Sequence, residues 1–450
     1  MKINTSVVTR TLSGLAFSLT LSVAAQNPII KDQFTADPSA RVFNNRLYLF
    51  PSHDIHPSTN KNHENWFSME DYHVFSSDNL TDWTDHGVIV TQNKVPWIKT
   101  NSYSMWAPDC IERNGKYYFY FPSTPKDTTI AKGFTIGVAI ADKPEGPYKV
   151  EPQPIKNVKG IDPNVFIDKD GQAYLYWSQG NIYGAKLKEN MTELASDPVT
   201  LKNLPEKGLK EGPYVFERNG IYYLTYPHVE NKTERLEYAT GNNPLGPFKA
   251  AGVIMDESET GCWTNHHSVL QFRGQWYLFY HHNDLSPKFD KNRSVRIDSL
   301  SFNGDGTIKK VTPTLRGVGN TPAKSTIQPD RYSAISSSGA SVDFLEPEDV
   351  FKGCKTTLSA AKAFVRYDNV DFGKKKLKKV LVQAKSSVGG AIEIRIDKVD
   401  GPLLAAVTIA PDTEWNTAEA SLVKFSSGIH NLFIISTKGD PIEIDWLTFE

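Results

Sequence analysis

The chain has 450 residues, with 50 Lys and Arg against 51 Asp and Glu, so its formal net charge is −1. This balance argues against a nucleic-acid-binding protein, which would normally be basic, and three cysteines are too few for a disulfide scaffold. Aromatic residues make up 11% of the chain, too many for a disordered protein. Beyond residue 30 no apolar stretch is long enough for a transmembrane helix, so no membrane span is expected.

The first 25 residues have the pattern of a secretory signal peptide. Lys2 and Arg10 give a basic start, residues 11–25 carry no charge, and Val23 and Ala25 suit the small-residue positions of a cleavage site. The sequence therefore predicts an exported protein, either periplasmic or secreted.

A short pattern, a tight turn followed by an aromatic-rich strand, recurs five times in the middle of the chain. The copies are NNRLYLF from Asn44, NGKYYFYF from Asn114, DGQAYLYW from Asp170, NGIYYLTY from Asn219 and RGQWYLFY from Arg273. Asn-Gly and Asp-Gly suit hairpin turns because glycine accepts a positive φ. Five such units predict an all-β chain with a five-bladed β-propeller over residues 26–320. A sandwich with similarly spaced hairpins is the alternative.

Acidic residues and one histidine precede the five turns at nearly equivalent places: Asp37, Asp109, Asp162, Glu211 and His266. In a propeller these positions converge at the mouth of the central channel. Carboxylates that close repel, so the arrangement predicts shifted pKa values or a bound cation. Opposed carboxylates around a pocket are the apparatus of glycoside hydrolysis. The loop His53–Trp66 is interpreted as an insertion at the pocket rim rather than a metal site, because it lacks an H-E-x-x-H pattern.

Residues 27 to about 318 resemble glycoside hydrolase family 43. The resemblance rests on TADPSARVF, SMWAPDC, KGIDPNVFID, KEGPYVFERNGIYYL, TNHHSV and RSVRIDSLSFNGDGTI, which occur in the family's order. It implies a five-bladed propeller that hydrolyses with inversion. It also implies that Asp37 is the general base, Glu211 the general acid and Asp162 the residue that tunes and orients the acid.

The same resemblance assigns further residues to the pocket. His266 matches the family's axial histidine, which often lies beside a calcium ion, in some members through water. His266, Trp106, Asp109 and Arg293 are expected to contact substrate, with Arg296 as the close alternative to Arg293.

The last quarter of the chain predicts a second domain. The stretch GVGNTPAK (317–324) has the composition of a linker, and short alternating strands follow it, as in an antiparallel β-sandwich of the jelly-roll type over residues 325–450. IQPDRYSA, FVRYDNVDFG, EIRIDKVDGPLL and IDWLTFE resemble a family 6 carbohydrate-binding module. The resemblance implies a structural calcium at Gln328, Asp330 and Asp445. It also implies sugar-stacking roles for Phe364 and Trp415, although both could instead be core residues.

The sequence as a whole predicts an exported inverting exo-glycosidase for terminal α-L-arabinofuranosyl or β-D-xylosyl residues of plant polysaccharides such as arabinoxylan. A calcium cofactor and a monomeric state are expected, with no nucleic-acid partner. A non-catalytic sugar-binding propeller and a galactan-directed glycosidase are the alternatives.

Overall fold

The computed structural model of the protein describes residues 26–56, 65–374 and 376–450. The predicted signal peptide and part of the predicted rim loop lie outside these ranges.

The first part of the chain forms five antiparallel sheets, four with four strands and one with three. The first sheet holds β1 (Ala36–Phe43), β2 (Arg46–Ser52), β3 (Asp71–Ser77) and β4 (Thr84–Thr91). The second holds β5 (Asp109–Arg113), β6 (Lys116–Ser123), β7 (Thr135–Ala141) and β8 (Lys149–Val150). The third holds β9 (Ile161–Ile167), β10 (Ala173–Ser178), β11 (Ile182–Lys186) and β12 (Val199–Thr200). The fourth holds β13 (Tyr214–Arg218), β14 (Ile221–Val229), β15 (Glu234–Gly241) and β16 (Lys249–Met255), and the fifth β17 (His267–Phe272), β18 (Gln275–His282) and β19 (Ser294–Leu300).

The repeated turns join the first and second strands of these sheets, as predicted. In the first sheet Phe43 pairs with Arg46 across Asn44 and Asn45, whose φ values are 50° and 62°. Two central residues with positive φ make a two-residue hairpin turn whose twist matches that of the strands. The turns at Asn114, Asn219 and Arg273 have the same two-residue form, each with a following glycine of positive φ.

Hydrogen bonds connect each sheet to its neighbours near the start of the first strands. They are Ser39 Oγ to Asp109 (2.6 Å), Val165 N to Asp109 (2.7 Å), Val215 N to Asn164 (2.9 Å), His267 Nε2 with Thr225 Oγ1 (2.6 Å) and Ala40 N to Ser268 Oγ (3.0 Å). The last bond joins the fifth sheet to the first.

The aromatic residues of the repeat fill the spaces between neighbouring sheets. Taken in order, the buried side chains include Phe50 and Phe119, Val138 and Leu175, Tyr176 and Leu224, Tyr238 and Leu278, and Phe279 with Leu49. Each sheet is thus buried on both faces, which explains why its middle strands are apolar almost without interruption.

The second part of the chain forms two further sheets around a common core. Its strands are β20 (Thr321–Pro322), β21 (Ala334–Ile335), β22 (Ala340–Phe344), β23 (Cys354–Leu358), β24 (Phe364–Asp371), β25 (Lys379–Ser386), β26 (Gly390–Ile396), β27 (Leu403–Ile409), β28 (Asp412–Ser421), β29 (Ile429–Ser436) and β30 (Ile442–Phe449). One sheet has the order β20-β24-β29-β26-β27, with β21 also on β24, and the other β22-β23-β30-β25-β28. Buried aliphatic residues from both sheets, such as Val365, Ile394, Val382 and Leu447, form the core.

The two parts of the chain contact each other directly. Arg316 donates from Nε to the Asp368 carbonyl oxygen at 2.8 Å and lies over the Tyr367 ring at 4.7 Å. Gln26 donates to the Tyr367 hydroxyl at 2.6 Å. Over the described ranges the helical elements are two 3₁₀ turns, Gln92–Lys94 and Val350–Lys352, and no helix there has the length and apolar character to span a membrane. The prediction of an all-β chain is confirmed.

Candidate active site

A cavity of about 230 Å³ lies where the first strands of the five sheets begin. Its lining residues are Asp37, Trp66, Phe67, Met69, Trp106, Phe134, Ile161, Asp162, Glu211, Glu234, Trp263, Thr264, His266 and Arg293. Six of the residues selected from the sequence line this cavity together: Asp37, Trp106, Asp162, Glu211, His266 and Arg293. The remaining predicted pocket residue, Asp109, is not part of its wall.

Asp37 and Asp162 occupy matching places, each as the second residue of a first strand and each followed by proline. Their φ values are 48° and 58°, in the left-handed region that side chains other than glycine rarely adopt. Both are almost fully buried, at 4% and 3% exposure. Strained backbone held this firmly by its surroundings is typical of functional positions.

Arg293 is the strongest of the neighbours that favour the ionised form of Asp37. Its Nη1 donates to Asp37 Oδ1 at 2.8 Å and its Nη2 to Oδ2 at 3.3 Å. The backbone N–H of Asp37 donates to Nδ1 of His281 at 3.0 Å. Burial by itself raises the pKa of Asp37, but Arg293, supported by His281, His266 and the Ser52 side chain, outweighs this effect and holds the pKa below its ordinary value.

A second carboxylate, Asp54, fixes the position of Arg293. Asp54 accepts the backbone N–H of Arg293 at 2.7 Å, Nε at 3.0 Å and Nη2 at 2.9 Å. One guanidinium therefore bridges two buried carboxylates, a geometry that the planar fork of arginine suits and lysine does not. Arg296, the alternative that the sequence left open, pairs with Asp284 away from this cavity.

Glu211 has the opposite electrostatic surroundings. Burial, and after it the neighbouring Glu234 carboxyl group, raises the pKa of Glu211 well above its ordinary value. Glu234 is 1% exposed, and its Oε2 accepts the N–H of Asn265 at 2.7 Å. Two buried carboxyl groups side by side cannot both ionise easily, so the pair retains a proton at neutral pH.

Asp162 accepts a hydrogen bond from the backbone directly after Glu211. Its Oδ2 accepts the N–H of Gly212, the residue after Glu211, at 3.0 Å. Burial raises the pKa of Asp162 to about 7, with a further contribution from Glu211, while His266 lowers it. The imidazole Nδ1 of His266 lies 4.0 Å from Asp162 Oδ1.

Aromatic side chains form the walls of the cavity. The Phe67 and Trp263 rings stack with centroids 6.1 Å apart, and the Trp106 ring lies 6.2 Å from Phe67. Trp66, the last residue of the loop interpreted as a rim, lines the opening and is 49% exposed. Such flat apolar faces beside a few polar groups suit the stacking of a sugar ring.

Asp109 is committed to bonds inside the protein. It accepts hydrogen bonds from Ser39 Oγ, from Nε and Nη2 of Arg41, from Asn164 Nδ2 and from the backbone N–H groups of Cys110 and Val165. The ion pair with Arg41 balances the negative charge of Asp109. The unbalanced negative charge of the clustered carboxylates, which suggested an axial cation, is therefore smaller than the sequence indicates.

The axial position predicted for calcium fits that ion poorly. The space beside His266 and Asp109 is about 10 Å³, roughly one water molecule. Calcium takes six to eight oxygen ligands. Here Asp109 is already fully bonded, and Asn164 Oδ1 accepts the N–H of Val215 at 2.9 Å.

The predicted calcium position in the second part of the chain fits better. Both carboxylate oxygens of Asp330 are buried without a hydrogen bond, although Arg331 Nε lies 3.0 Å from Oδ2. Burial raises the pKa of Asp445, and Asp330 raises it further, so the two carboxyl groups are neighbours. Gln328 Oε1 lies 3.4 Å from Lys31 Nζ.

Phe364 and Trp415 are both partly exposed and lie on different sheets of the second part, in β24 and β28. Neither belongs to the buried cluster between the sheets. The Phe364 ring contacts Phe433 at 5.8 Å, and Lys385 Nζ lies 4.9 Å from the centre of the Trp415 ring.

Several cavity residues were missed in the sequence, each for a different reason. Asp54 lies in the loop interpreted as a rim, but nothing in the loop pointed to Arg293. Trp263 lies directly before the TNHHSV motif, so a search for aromatic residues next to the motifs would have found it. Glu234 begins β15, a strand with no motif, and no signal in the sequence singled it out.

The site combines an ionised and a protonated carboxyl group between aromatic walls, the equipment of a glycoside hydrolase. Residues 25–308 match the glycosyl hydrolases family 43, and the chain belongs to this family. Residues 334–450 match the carbohydrate binding module family 6. Both resemblances drawn from the sequence are confirmed, and the protein is a glycoside hydrolase.

Three relatives illustrate the match. The xylosidase/arabinosidase 43A of Humicola insolens is 37% identical over 337 residues, which cover 64% of this chain and 99% of the relative. An arabinoxylan arabinofuranohydrolase of Paenibacillus polymyxa is 27% identical over 93% of this chain and 73% of its own. The crystal structure of a β-xylosidase/α-arabinofuranosidase from a compost metagenome, with xylotriose and in a calcium-free form, has 34% identity and a TM-score of 0.58, covering 64% of this chain and 98% of the other.

Proposed function

We propose that the protein is an exported, inverting exo-glycosidase that removes terminal α-L-arabinofuranosyl or β-D-xylosyl residues from arabinoxylan-type polysaccharides. The observation that carries the proposal is the opposed ionisation of Asp37 and Glu211 in one aromatic pocket. Asp37 has a lowered pKa beside Arg293, and Glu211 has a raised pKa beside Glu234.

These two groups would divide the chemistry as base and acid. The ionised Asp37 takes a proton from a water molecule, whose oxygen attacks the anomeric carbon as the glycosidic bond breaks. Glu211 gives its proton to the departing oxygen. Asp162, through the Gly212 N–H, holds the acid in position. Arg293, Trp106 and His266 are the proposed sugar contacts.

The size of the cavity supports release of single sugars. About 230 Å³ is below the range of about 300–1,000 Å³ usual for drug-sized ligands, which suits one pentose ring. The relatives are named as xylosidases, arabinosidases and arabinofuranohydrolases, which supports pentose substrates. Asp109, which lies behind the cavity, is left out of the proposed contacts.

We further propose that the five sheets close into a propeller and that a separate sandwich begins near residue 325. The hydrogen bond from Ala40 to Ser268 and the packing of the fifth sheet on the first support closure. In the second part, Phe364 and Trp415 are the proposed sugar-stacking residues, and Gln328, Asp330 and Asp445 would hold calcium as a structural ion. The chain is proposed to act as a monomer outside the cytoplasm.

The test measures arabinose and xylose released from arabinoxylan by the wild type and by Glu211→Ala. Arabinose alone identifies a debranching arabinofuranosidase, and xylose from short xylo-oligosaccharides identifies a chain-end xylosidase. The variant should lose far more activity on the polysaccharide than on aryl glycosides, because a good leaving group needs little protonation. NMR of the first product anomer tests inversion.

Two outcomes contradict the proposal. Oligosaccharide binding without any release of monosaccharide means a sugar-binding protein, and release from galactan alone means a galactan-directed enzyme.

A further inference from the structure

Three side chains able to bind a metal meet on the first sheet, outside the cavity. His53 directly follows β2, and Asp71 and His73 are the first and third residues of β3. Ser52 pairs with Tyr72, which brings His53 next to Asp71 across the two strands. Asp71 and His73 share a face of β3 because alternate residues of a strand point the same way.

The distances between these side chains are close to those of a metal site. One ligand atom from each of the three lies within 4.8 Å of the other two. His53 Nδ1 is 2.7 Å from Asp71 Oδ1, and the two imidazole rings are 4.8 Å apart. A zinc ion bound about 2.0–2.2 Å from nitrogen and oxygen would place its ligand atoms about 3.3 Å apart. Small rotations of partly buried side chains would close the remaining difference.

A fourth residue, Asp85, orients His73 for this role. Both Asp85 oxygens lie 3.0 Å from His73 Nδ1. The backbone N–H of Gly87 donates to Asp85 at 2.7 Å and Gln33 donates at 3.1 Å, so the carboxylate is held in place. When Nδ1–H of a histidine donates a hydrogen bond to a carboxylate, Nε2 of the same ring is unprotonated and free to bind a metal, the usual arrangement behind metal-binding histidines.

We propose that His53, Asp71 and Nε2 of His73 bind a divalent transition metal of the zinc type, with water in the fourth position. Two imidazoles and one carboxylate suit Zn²⁺, whereas calcium and magnesium prefer oxygen ligands alone. Among the described residues, Asp71 and Asp85 form ion pairs with His53 and His73 and not with lysine or arginine. Their negative charges are therefore available to balance the charge of a bound cation. The ion would fix the chain directly before Asp54, the residue that holds Arg293.

The experiment uses the full chain after removal of metals with a chelator. Zn²⁺ is titrated by calorimetry, and thermal unfolding is recorded with and without it. We expect one equivalent to bind and the unfolding temperature to rise, because a ligand of the native state stabilises that state. With Co²⁺ in place of Zn²⁺, a visible absorption band should report imidazole and carboxylate ligation. None of these measurements depends on glycosidase activity.

Variants separate this site from other binding. His53→Ala and His73→Ala should each abolish the titration and the thermal shift. His86→Ala is the matched control, because this histidine is in β4 of the same sheet but its Nε2 is bonded to Ser76 at 2.7 Å. Asp85→Asn keeps all three ligands and should weaken Zn²⁺ binding by about 10- to 100-fold.

Three results would overturn the proposal. The first is no binding of Zn²⁺ by the wild type, and the second is binding that survives in folded His53→Ala and His73→Ala proteins. If those variants fail to fold, the affinity of Asp85→Asn decides the matter, and an affinity equal to that of the wild type counts against the site.

Discussion

Replacing Arg293 with lysine should shift the acidic limb of the pH profile of kcat/KM to higher pH. Arg293 makes two hydrogen bonds to Asp37, at 2.8 and 3.3 Å, and three to Asp54. Lysine keeps the charge but lacks the planar fork, so it can retain at most one contact with Asp37. A hydrogen bond to a charged group contributes about 1.5–3 kcal/mol. Since about 1.4 kcal/mol corresponds to one pKa unit, losing one bond raises the pKa of Asp37 by about 1–2.

The direction of the change follows from the proposed role of Asp37 as the general base. Asp37 can accept a proton from water only when it is ionised, so kcat/KM falls as the pH drops through its pKa. A higher pKa moves this fall to higher pH. The Arg293→Lys profile on a 4-nitrophenyl glycoside should therefore have its acidic limb about 1–2 pH units above that of the wild type. This substrate depends little on the general acid, so the limb reports mainly on the base.

Arg296→Lys is the matched control for this experiment. Arg296 is also buried and also forms a two-point ion pair, with Asp284, but it lies outside the cavity. Both variants should lose stability, whereas only Arg293→Lys should shift the limb. A folded Arg293→Lys enzyme with an unshifted limb, or an equal shift in Arg296→Lys, would refute the assignment of Asp37 as a base tuned by Arg293.

Three further predictions follow from the other buried carboxyl groups. Burial, and after it the charge of Glu234, raises the pKa of Glu211. Glu234→Gln removes the second of these causes, so the basic limb of kcat/KM on arabinoxylan should move to lower pH; an unmoved limb contradicts the pairing. The pKa of Asp162, about 7 in the folded chain, lies above its ordinary value, so its contribution to stability is complete below about pH 4 and is lost as the pH rises through 7. Asp162→Asn should thus flatten the fall in unfolding temperature between pH 5 and 8, and an unchanged slope would argue against this pKa. Chelation of calcium should lower the unfolding temperature of the wild type but not of Asp330→Asn; equal behaviour would argue against calcium at Asp330 and Asp445.

Much of the fold was accessible from the sequence because the signal is local. The turns after Phe43, Arg113 and Arg218 are two residues long and use Asn and Gly, whose backbone preferences specify this hairpin. The aromatic strands after them predict burial on both faces. The contact of the fifth sheet with the first depends instead on distant segments, such as Ala40 with Ser268, which no local pattern encodes.

The site was accessible where a residue lies in a repeated position. Asp37, Asp162 and Glu211 were identified because they occupy equivalent places in the repeats, and all three line one cavity. Asp54 and Glu234 lie in segments that the repeats do not share, so their roles became visible only when the fold brought them to Arg293 and to Glu211.

The acidic residues at the repeated positions differ from one another in ionisation state because each has a different neighbour outside the repeat. At Asp37 the ionised form is favoured by Arg293, which directly precedes the last strand of the fifth sheet. At Asp109, Arg41 from the first sheet completes a buried structural pair. At Glu211 the neighbour is another carboxyl group, which favours the protonated form. The repeats thus bring the acidic residues together in one cavity. The neighbours that differ between repeats leave Asp37 ionised, as a general base must be, and Glu211 protonated, as a general acid must be. A hydrolase that must hold both states in one pocket requires such differences.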